Sequence, residues 1–282
     1  MGYGIIAAMK DIWCETLPIR FGHVDRSDRL TPFAAFDLFQ EAAINHAANL
    51  GVGRDDLART GQLWVLSRMT VLMERRPKYG ETVTVRAWPL GADRLFAVRD
   101  YDIRDRGDNP VVRGRSGWLV LDWEKRRPLR IQQVVASLPP NKGIAALPGG
   151  AGCLDSPQDP VRAGERRAVF SDIDYNGHVN NARYIQWIQD LIEPAVLENA
   201  GMLRLDINYL GEVKYGEITV LWTAPASGPG CWNGIGPGEA PSEAGNPCAF
   251  SLAAEGRRQE GGQPVFRAEL RTWTVSPQAS GL

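Results

Sequence analysis

The chain repeats itself. The segment Pro77-Lys78-Tyr79-Gly80-Glu81-Thr82-Val83-Thr84-Val85 returns as Val213-Lys214-Tyr215-Gly216-Glu217-Ile218-Thr219-Val220, with Lys214 in the place of Lys78. An internal repeat of domain size means two similar units, each with its own apolar face to bury. In both copies the Lys-Tyr-Gly-Glu turn separates two runs that alternate or are rich in β-branched residues, which predicts a β-hairpin.

One helix precedes each turn. Thr31-Pro32 opens the first, with Thr as N-cap and Pro at the first helical position. Phe36, Phe39, Ala43, Ala47 and Leu50 recur at helical spacing, and Gly51 supplies a stop. The second helix starts near Asn180 and carries Ile185, Ile188, Leu191, Ile192, Ala195 and Val196 on one face. Thr31 matches Asn180 and Asp25 matches Asp174 in one common register, with a wider offset than the one joining Lys78 to Lys214. The stretch from helix to turn is therefore longer in the first copy. Pairing Gly22-His23-Val24 with the identical Gly177-His178-Val179 would set Thr31 on Gln186, inside the second helix, and is rejected. Further strands are expected over 94–105, 110–123, 248–257 and 264–273. Each half thus reads strand, helix, then four strands, an α+β layout in which an antiparallel sheet wraps one apolar helix. Residues 138–157, rich in Pro and Gly, read as the linker, and 225–247 as a flexible insertion, with a lid as the alternative.

Composition narrows the classes of function. The 282 residues carry 32 Lys and Arg against 33 Asp and Glu, a net charge of −1, which argues against broad nucleic-acid binding. No apolar run approaches the ~18 residues of a membrane span. The N-terminus lacks the pattern of a signal peptide, and Ile6 breaks a myristoylation motif at Gly2. Cys14, Cys153, Cys231 and Cys248 show no CxxC spacing, so neither a zinc site nor a disulfide scaffold is implied. A cytoplasmic location follows as the expectation.

The densest polar cluster is Asp172-Ile173-Asp174-Tyr175-Asn176-Gly177-His178-Val179-Asn180-Asn181. It ends on a helix N-cap, where free N–H groups and the dipole stabilise negative charge. Taken alone it is a polar turn capping its own backbone. The first copy changes that weighting, because Asp25-Arg26-Ser27-Asp28-Arg29-Leu30-Thr31 occupies the same place. Ser27 stands for Asn176 and Arg29 for His178, so the turn is built there without either group.

The pattern Asp174-x-Asn176-x-His178-Val179-Asn180-Asn181-x-x-Tyr184-Ile185-x-Trp187 resembles the acyl-acyl carrier protein thioesterases of plant plastids and bacteria. The likeness extends through Leu38-Phe39-Gln40-Glu41-Ala42-Ala43-Ile44-Asn45-His46 and Trp64-Val65-Leu66-x-Arg68-Met69 to nearly the whole chain. It implies a tandem (double) hotdog with two antiparallel sheets, each wrapped around a long central helix and joined edge to edge. The halves would span 10–145 and 160–275, with a linker over 146–159. It also implies an active-site Asp, Asn and His at Asp174, Asn176 and His178, and a further acid at Glu212. Plant members follow that Glu with a Cys, and here the position is Val213, so a Cys-His-Asn mechanism does not apply. Hydrolysis by water is the simpler chemistry, with Glu212 or Asp174 as base, His178 as donor and Asn176 orienting the carbonyl or the water. No metal or other cofactor is called for.

The degenerate first half is expected to hold the acyl chain, with Phe36, Phe39, Ala43, Trp64, Leu66 and Met69 as candidate lining residues. All six serve equally well as plain core. His23 and His46 have no metal-ligand spacing, and His46 reads as structural. Most of the Trp residues fall in expected strands and read as packing. The basic run Lys125-Arg126-Arg127-Pro128-Leu129-Arg130, with Arg166-Arg167 and Arg257-Arg258, offers docking patches for an acidic carrier protein. The expected reaction is release of free fatty acid from acyl carrier protein. Acyl-coenzyme A hydrolysis and a non-enzymatic acyl-carrier binding module are the alternatives, and a homodimer is compatible with all three.

Overall fold

The computed structural model describes residues 11–226, except 137, 140, 142 and 151, and residues 248–274. The insertion over 225–247, including Cys231, lies almost wholly outside the described residues. The first half contains β1 (Trp13–Pro18), α1 (Pro32–Asn49), α2 (Arg54–Ala58), β2 (Gln62–Met73), β3 (Thr82–Asp93), β4 (Phe96–Arg104), β5 (Pro110–Asp122) and α3 (Gln132–Val135). The second contains β6 (Val161–Arg167), α4 (Asn181–Gln189), α5 (Pro194–Asn199), β7 (Met202–Tyr209), β8 (Ile218–Ala224), β9 (Cys248–Arg258) and β10 (Pro264–Trp273).

The strands form one antiparallel sheet of ten in the order β1-β3-β4-β5-β2-β7-β10-β9-β8-β6. The sheets of the two halves join edge to edge, as expected, because β2 and β7 are hydrogen-bonded neighbours and close the halves into a single surface. Thr70 lies opposite Asp206, Met69 opposite Ile207 and Val71 opposite Leu205. Thr70 and Asp206 are themselves repeat mates, separated by the same interval as Lys78 and Lys214. A pseudo-two-fold axis therefore passes through that pair, and the seam is an isologous contact inside one chain.

Alternation along the strands sorts the two faces. Val85, Tyr101, Ile103, Leu205, Ile207 and Leu270 point to the helices and merge with Phe36, Phe39, Ile185 and Ile188 into one core shared by both halves. Phe39 of α1 stacks on Tyr101 at 4.9 Å. A Cβ on Gly114 would stand 2.8 Å from the Phe39 ring, so only glycine lets that ring settle on the sheet. The opposite face carries paired charges: Arg115 on Asp100, Arg86 on Asp102 and Arg267 on Glu255. The stretch expected to be a mere linker crosses this face as a strap. Trp88 Nε1 donates to Ile144 O at 2.7 Å, Ala146 N to Asp100 Oδ2 at 2.6 Å, Asn208 Nδ2 to Gly152 O at 3.0 Å and Arg267 Nη1 to Leu154 O at 3.1 Å.

Both helix starts are where the caps predict them: Thr31 Oγ1 accepts from Ala34 N and Asn180 Oδ1 from Ala182 N. Gly51 takes a left-handed φ of 69° beyond the end of α1. The lengths differ. α1 has 18 residues, but α4 stops after nine, so only one half has a long helix. Pro194 disfavours helical geometry at Glu193, which is extended, and restarts the chain as α5.

The Lys-Tyr-Gly-Glu segments are turns but not hairpins. Gly80 and Gly216 have φ of 77° and 84°, and Glu81 and Glu217 donate back to the carbonyls of Lys78 and Lys214. Yet β2 does not pair with β3, nor β7 with β8. Each turn is anchored instead to the end of the half's first strand, Gly80 N to Ile19 O and Gly216 N to Ala168 O. Local turn chemistry fixes the reversal but not the partner strand.

Candidate active site

The side chains marked by the sequence form two separate contacts beside the start of α4, Asp174 with Asn176 and His178 with Glu212. Asp174 N donates to His178 O at 3.0 Å, Asn176 N to Asp174 Oδ1 at 2.8 Å, and Gly177 turns the chain at φ 80°. The far side of this loop docks on the segment after β7, through Val179 N to Val213 O at 2.8 Å and a bridge between His178 and Lys214. That docking sets His178 Nε2 3.1 Å from Glu212 Oε2. The His178 side chain is 20% exposed and that of Glu212 46%, so the pair is reachable from outside yet backed by protein. Asn176 is exposed, its Nδ2 3.5 Å from Asp174 Oδ2. Val213 is wholly buried.

Neighbours complete the setting. Arg126 Nη1 lies 3.6 Å from the other Glu212 oxygen, Oε1, so a residue of the first half faces the acid of the second. Arg126 has a left-handed φ of 52° and stacks 5.6 Å from the Trp123 ring. Arg258 donates to Glu212 O. Arg54 of α2 lies over Tyr175 at 4.5 Å. Burial pushes the Tyr184 phenol far up, so it stays protonated and acts as a donor.

The first copy is the internal control. Arg76 occupies the repeat position of Glu212, so the charge there is inverted. Its side chain, 4% exposed, donates to Asp25 Oδ2 at 2.7 Å and to Leu197 O at 2.6 Å. Ser27 N and Oγ take the other Asp25 oxygen at 2.9 and 2.6 Å. Burial pushes the Asp25 carboxyl up, but the hydrogen bonds from Ser27 and Arg76 outweigh it and hold it below the ordinary range. Arg26 pairs with Glu198 of α5. The same turn is thus a structural lock in one half and an open constellation in the other.

A small apolar cavity of about 10 Å³ lies between the halves, lined by Phe36, Gln40, Leu66, Met69, Tyr101, Trp118, Asn181, Ala182 and Tyr209. Of the expected acyl-lining residues it brings together Phe36, Leu66 and Met69. Phe39 lies beneath Tyr101, Ala43 is buried in the main core, and Trp64 donates to Val52 O in a smaller cluster around Leu50 and Leu57. His46 is buried, its Nδ1 2.8 Å from Arg99 Nη1. In the sequence Arg126 is one member of a basic run and Gln40 one letter of a motif. Spacing places neither of them, because Arg126 meets Glu212, and Gln40 meets the cavity wall formed with α4, only across the two halves. Among the described residues, no helix is long and apolar enough to cross a membrane.

Known proteins share both the sequence and the shape. The description "Acyl-ACP thioesterase N-terminal domain" matches residues 10–138, and "Acyl-ACP thioesterase C-terminal domain" residues 161–257. A chloroplastic acyl-[acyl-carrier-protein] hydrolase of Cuphea viscosissima is 30% identical over 208 residues, 67% of this chain and 49% of that protein. A chloroplastic palmitoyl-acyl carrier protein thioesterase of Cuphea hookeriana is 29% identical over 246 residues, 81% of this chain and 58% of that protein. The chain thus spans about half the length of these relatives. The crystal structure of an acyl-ACP thioesterase from Bacteroides thetaiotaomicron superposes with a TM-score of 0.77 at 21% identity, over 93% of this chain and 98% of that one. With both domain descriptions matched in order and joined across one seam, this chain belongs to the acyl-ACP thioesterase family.

Proposed function

We propose that this protein is a double hotdog that hydrolyses the thioester of acyl-acyl carrier protein and releases a free fatty acid, ending chain elongation. The observation that carries the reading is the His178–Glu212 contact at 3.1 Å, in the half that keeps Asn176 while its repeat mate has Arg29, Arg76 and Ser27. Glu212 takes a proton from water, and the water oxygen adds to the thioester carbon. The carbonyl oxygen becomes an oxyanion, the C–S bond then breaks, and the departing thiolate takes up a proton from His178 or Glu212. Asp174 is the less suitable base, because its Oδ1 already accepts from Asn176 N and holds the turn. Asn176 orients the carbonyl or the water.

The domain roles follow the same division. Residues 10–145 supply the apolar wall, 146–159 the strap, and 160–275 the reacting groups. Acyl carrier proteins are acidic, and the basic run 125–130 borders the site through Arg126, which favours that carrier over coenzyme A. A cytoplasmic location and a homodimer belong to the same reading. Purified protein is expected to release fatty acid from acyl-acyl carrier protein faster than from the matching acyl-coenzyme A. Equal inertness toward both would leave a binding module.

Two further outcomes are expected. Replacing all four cysteines by Ala leaves turnover unchanged, and thiol-blocking reagents do not inhibit, since Val213 replaces the family's cysteine and Cys14 and Cys153 are exposed. Loss of activity on modifying one cysteine, with the fold intact and the entrance open, would overturn the water mechanism. Substitutions that enlarge or fill Phe36, Leu66 or Met69 shift the chain-length profile more than the rate on the best substrate. An unchanged profile in several folded variants would put the acyl chain elsewhere.

A further inference from the structure

We propose that Gln40, on the helix of the first half, donates a hydrogen bond from Nε2 to the thioester carbonyl oxygen, and so is a catalytic residue supplied across the seam. The inference rests on the thioesterase reading above. α1 and α4 run in opposite directions: Phe33 N donates to Gln189 Oε1 at 3.2 Å near one end, and Gln40 shares the cavity wall with Asn181 and Ala182 near the other. The step along α1 from Phe33 to Gln40 and the step back along α4 from Gln189 thus bring Gln40 opposite the first turn of the helix that Asn180 caps, just past His178. The rest of that wall is Phe36, Leu66, Met69, Tyr101, Trp118 and Tyr209, all apolar or aromatic.

Half-buried among these groups, the Gln40 amide makes no hydrogen bond among the described residues, and neither does the Asn181 side chain. Neither amide is enclosed away from solvent, so both stay open to an entering group. By contrast, Trp118 Nε1 donates to Ser116 Oγ at 2.7 Å and the Tyr101 hydroxyl shares a 2.8 Å hydrogen bond with the same oxygen, so both are already engaged within the protein. At about 10 Å³ the cavity has room for about one water, so in this proposal an acyl chain enters by parting Phe36, Leu66 and Met69, with its carbonyl end at the start of α4. A neutral amide there donates without changing charge. Its hydrogen bond strengthens as the carbonyl oxygen becomes anionic on water addition and relaxes as the C–S bond breaks, so it lowers the barrier more than it tightens binding.

The test compares wild type with Gln40→Ala and with Gln40→Met, which keeps the volume without the donor. Both variants are expected to lose roughly 10²–10³ in kcat, with KM moved far less and thermal midpoints unchanged. Two unreactive acyl-pantetheine analogues give a second readout: an amide that keeps the carbonyl and a thioether that lacks it. Wild type should prefer the amide, and the variants should lose about 2- to 10-fold of that preference. A kcat within about threefold of wild type overturns the assignment, since a lost oxyanion donor costs far more. So does a fall in kcat with the amide-to-thioether ratio preserved, which would make Gln40 a packing residue. A wild-type protein inert toward every acyl thioester would defeat the enzymatic reading itself, whereas an active wild type with an unaffected Gln40→Met defeats only this inference.

Discussion

His178→Ala and Glu212→Gln are each expected to lower turnover on acyl-acyl carrier protein by ~10²–10⁴, the range of general acid-base effects. The two are expected to be non-additive, because each group acts through its 3.1 Å contact with the other. Glu212→Gln keeps size and hydrogen bonding but cannot accept the proton of water, so it separates base chemistry from positioning. Asp174→Asn should cost less, since an amide oxygen can still accept from Asn176 N and hold the turn. Asn176→Ala is also expected to lower turnover, through lost positioning. The half-exposed Glu212 and the partly exposed His178 do not hold up the core, so thermal midpoints should stay near wild type. Well-folded His178→Ala and Glu212→Gln proteins with near-normal turnover would overturn the site.

The largest effect on stability is expected at the seam, from Asp206→Ala. Six residue pairs join β2 to β7, and Asp206 lies on their axis opposite Thr70. Its carboxylate, in a residue only 4% exposed, accepts from Thr70 Oγ1 at 2.6 Å and from Arg204 Nε and Nη2 at 2.6 and 2.9 Å. Removing it strips the Arg204 guanidinium of this acid and the Thr70 hydroxyl of its acceptor. Breaking a buried pair from one side costs about 3–5 kcal/mol, most of it the desolvation of the group left behind. Denaturant unfolding should show the loss as a lowered midpoint, and Asp206→Asn, which keeps an acceptor, should lose less. A change below about 1 kcal/mol would mean that the seam relaxes around the missing acid.

Much of the architecture is legible in the sequence because it is set by local chemistry. The Thr31 and Asn180 caps, the Gly51 stop and the Lys-Tyr-Gly-Glu turns depend on residues within a few positions of one another, and each forms where the pattern puts it. The strands over 110–122 and 264–273 follow from β-branched and aromatic runs bounded by turn residues. The repeat itself exposes the candidate site, since only comparison of His178 with Arg29 separates a reacting turn from a capping one. No tertiary contact is needed for that step.

What the tertiary structure decided is everything that joins residues across the seam or over the sheet. The turns reverse the chain, but the partners of β2 are β5 and β7 rather than β3. The 138–157 stretch has the composition of a linker, yet carboxylates and arginines on the outer face turn it into a strap. Asp25 and Asp174 look alike in sequence, and only folding ties one to a buried Arg76 and leaves the other beside Asn176. Arg126 reaches Glu212, and Gln40 comes to line one cavity with Asn181, only after two halves far apart in the chain close on one another. Short-range preferences are written in spacing, whereas such long-range contacts appear only when the common core is buried and brings distant side chains within a few ångströms.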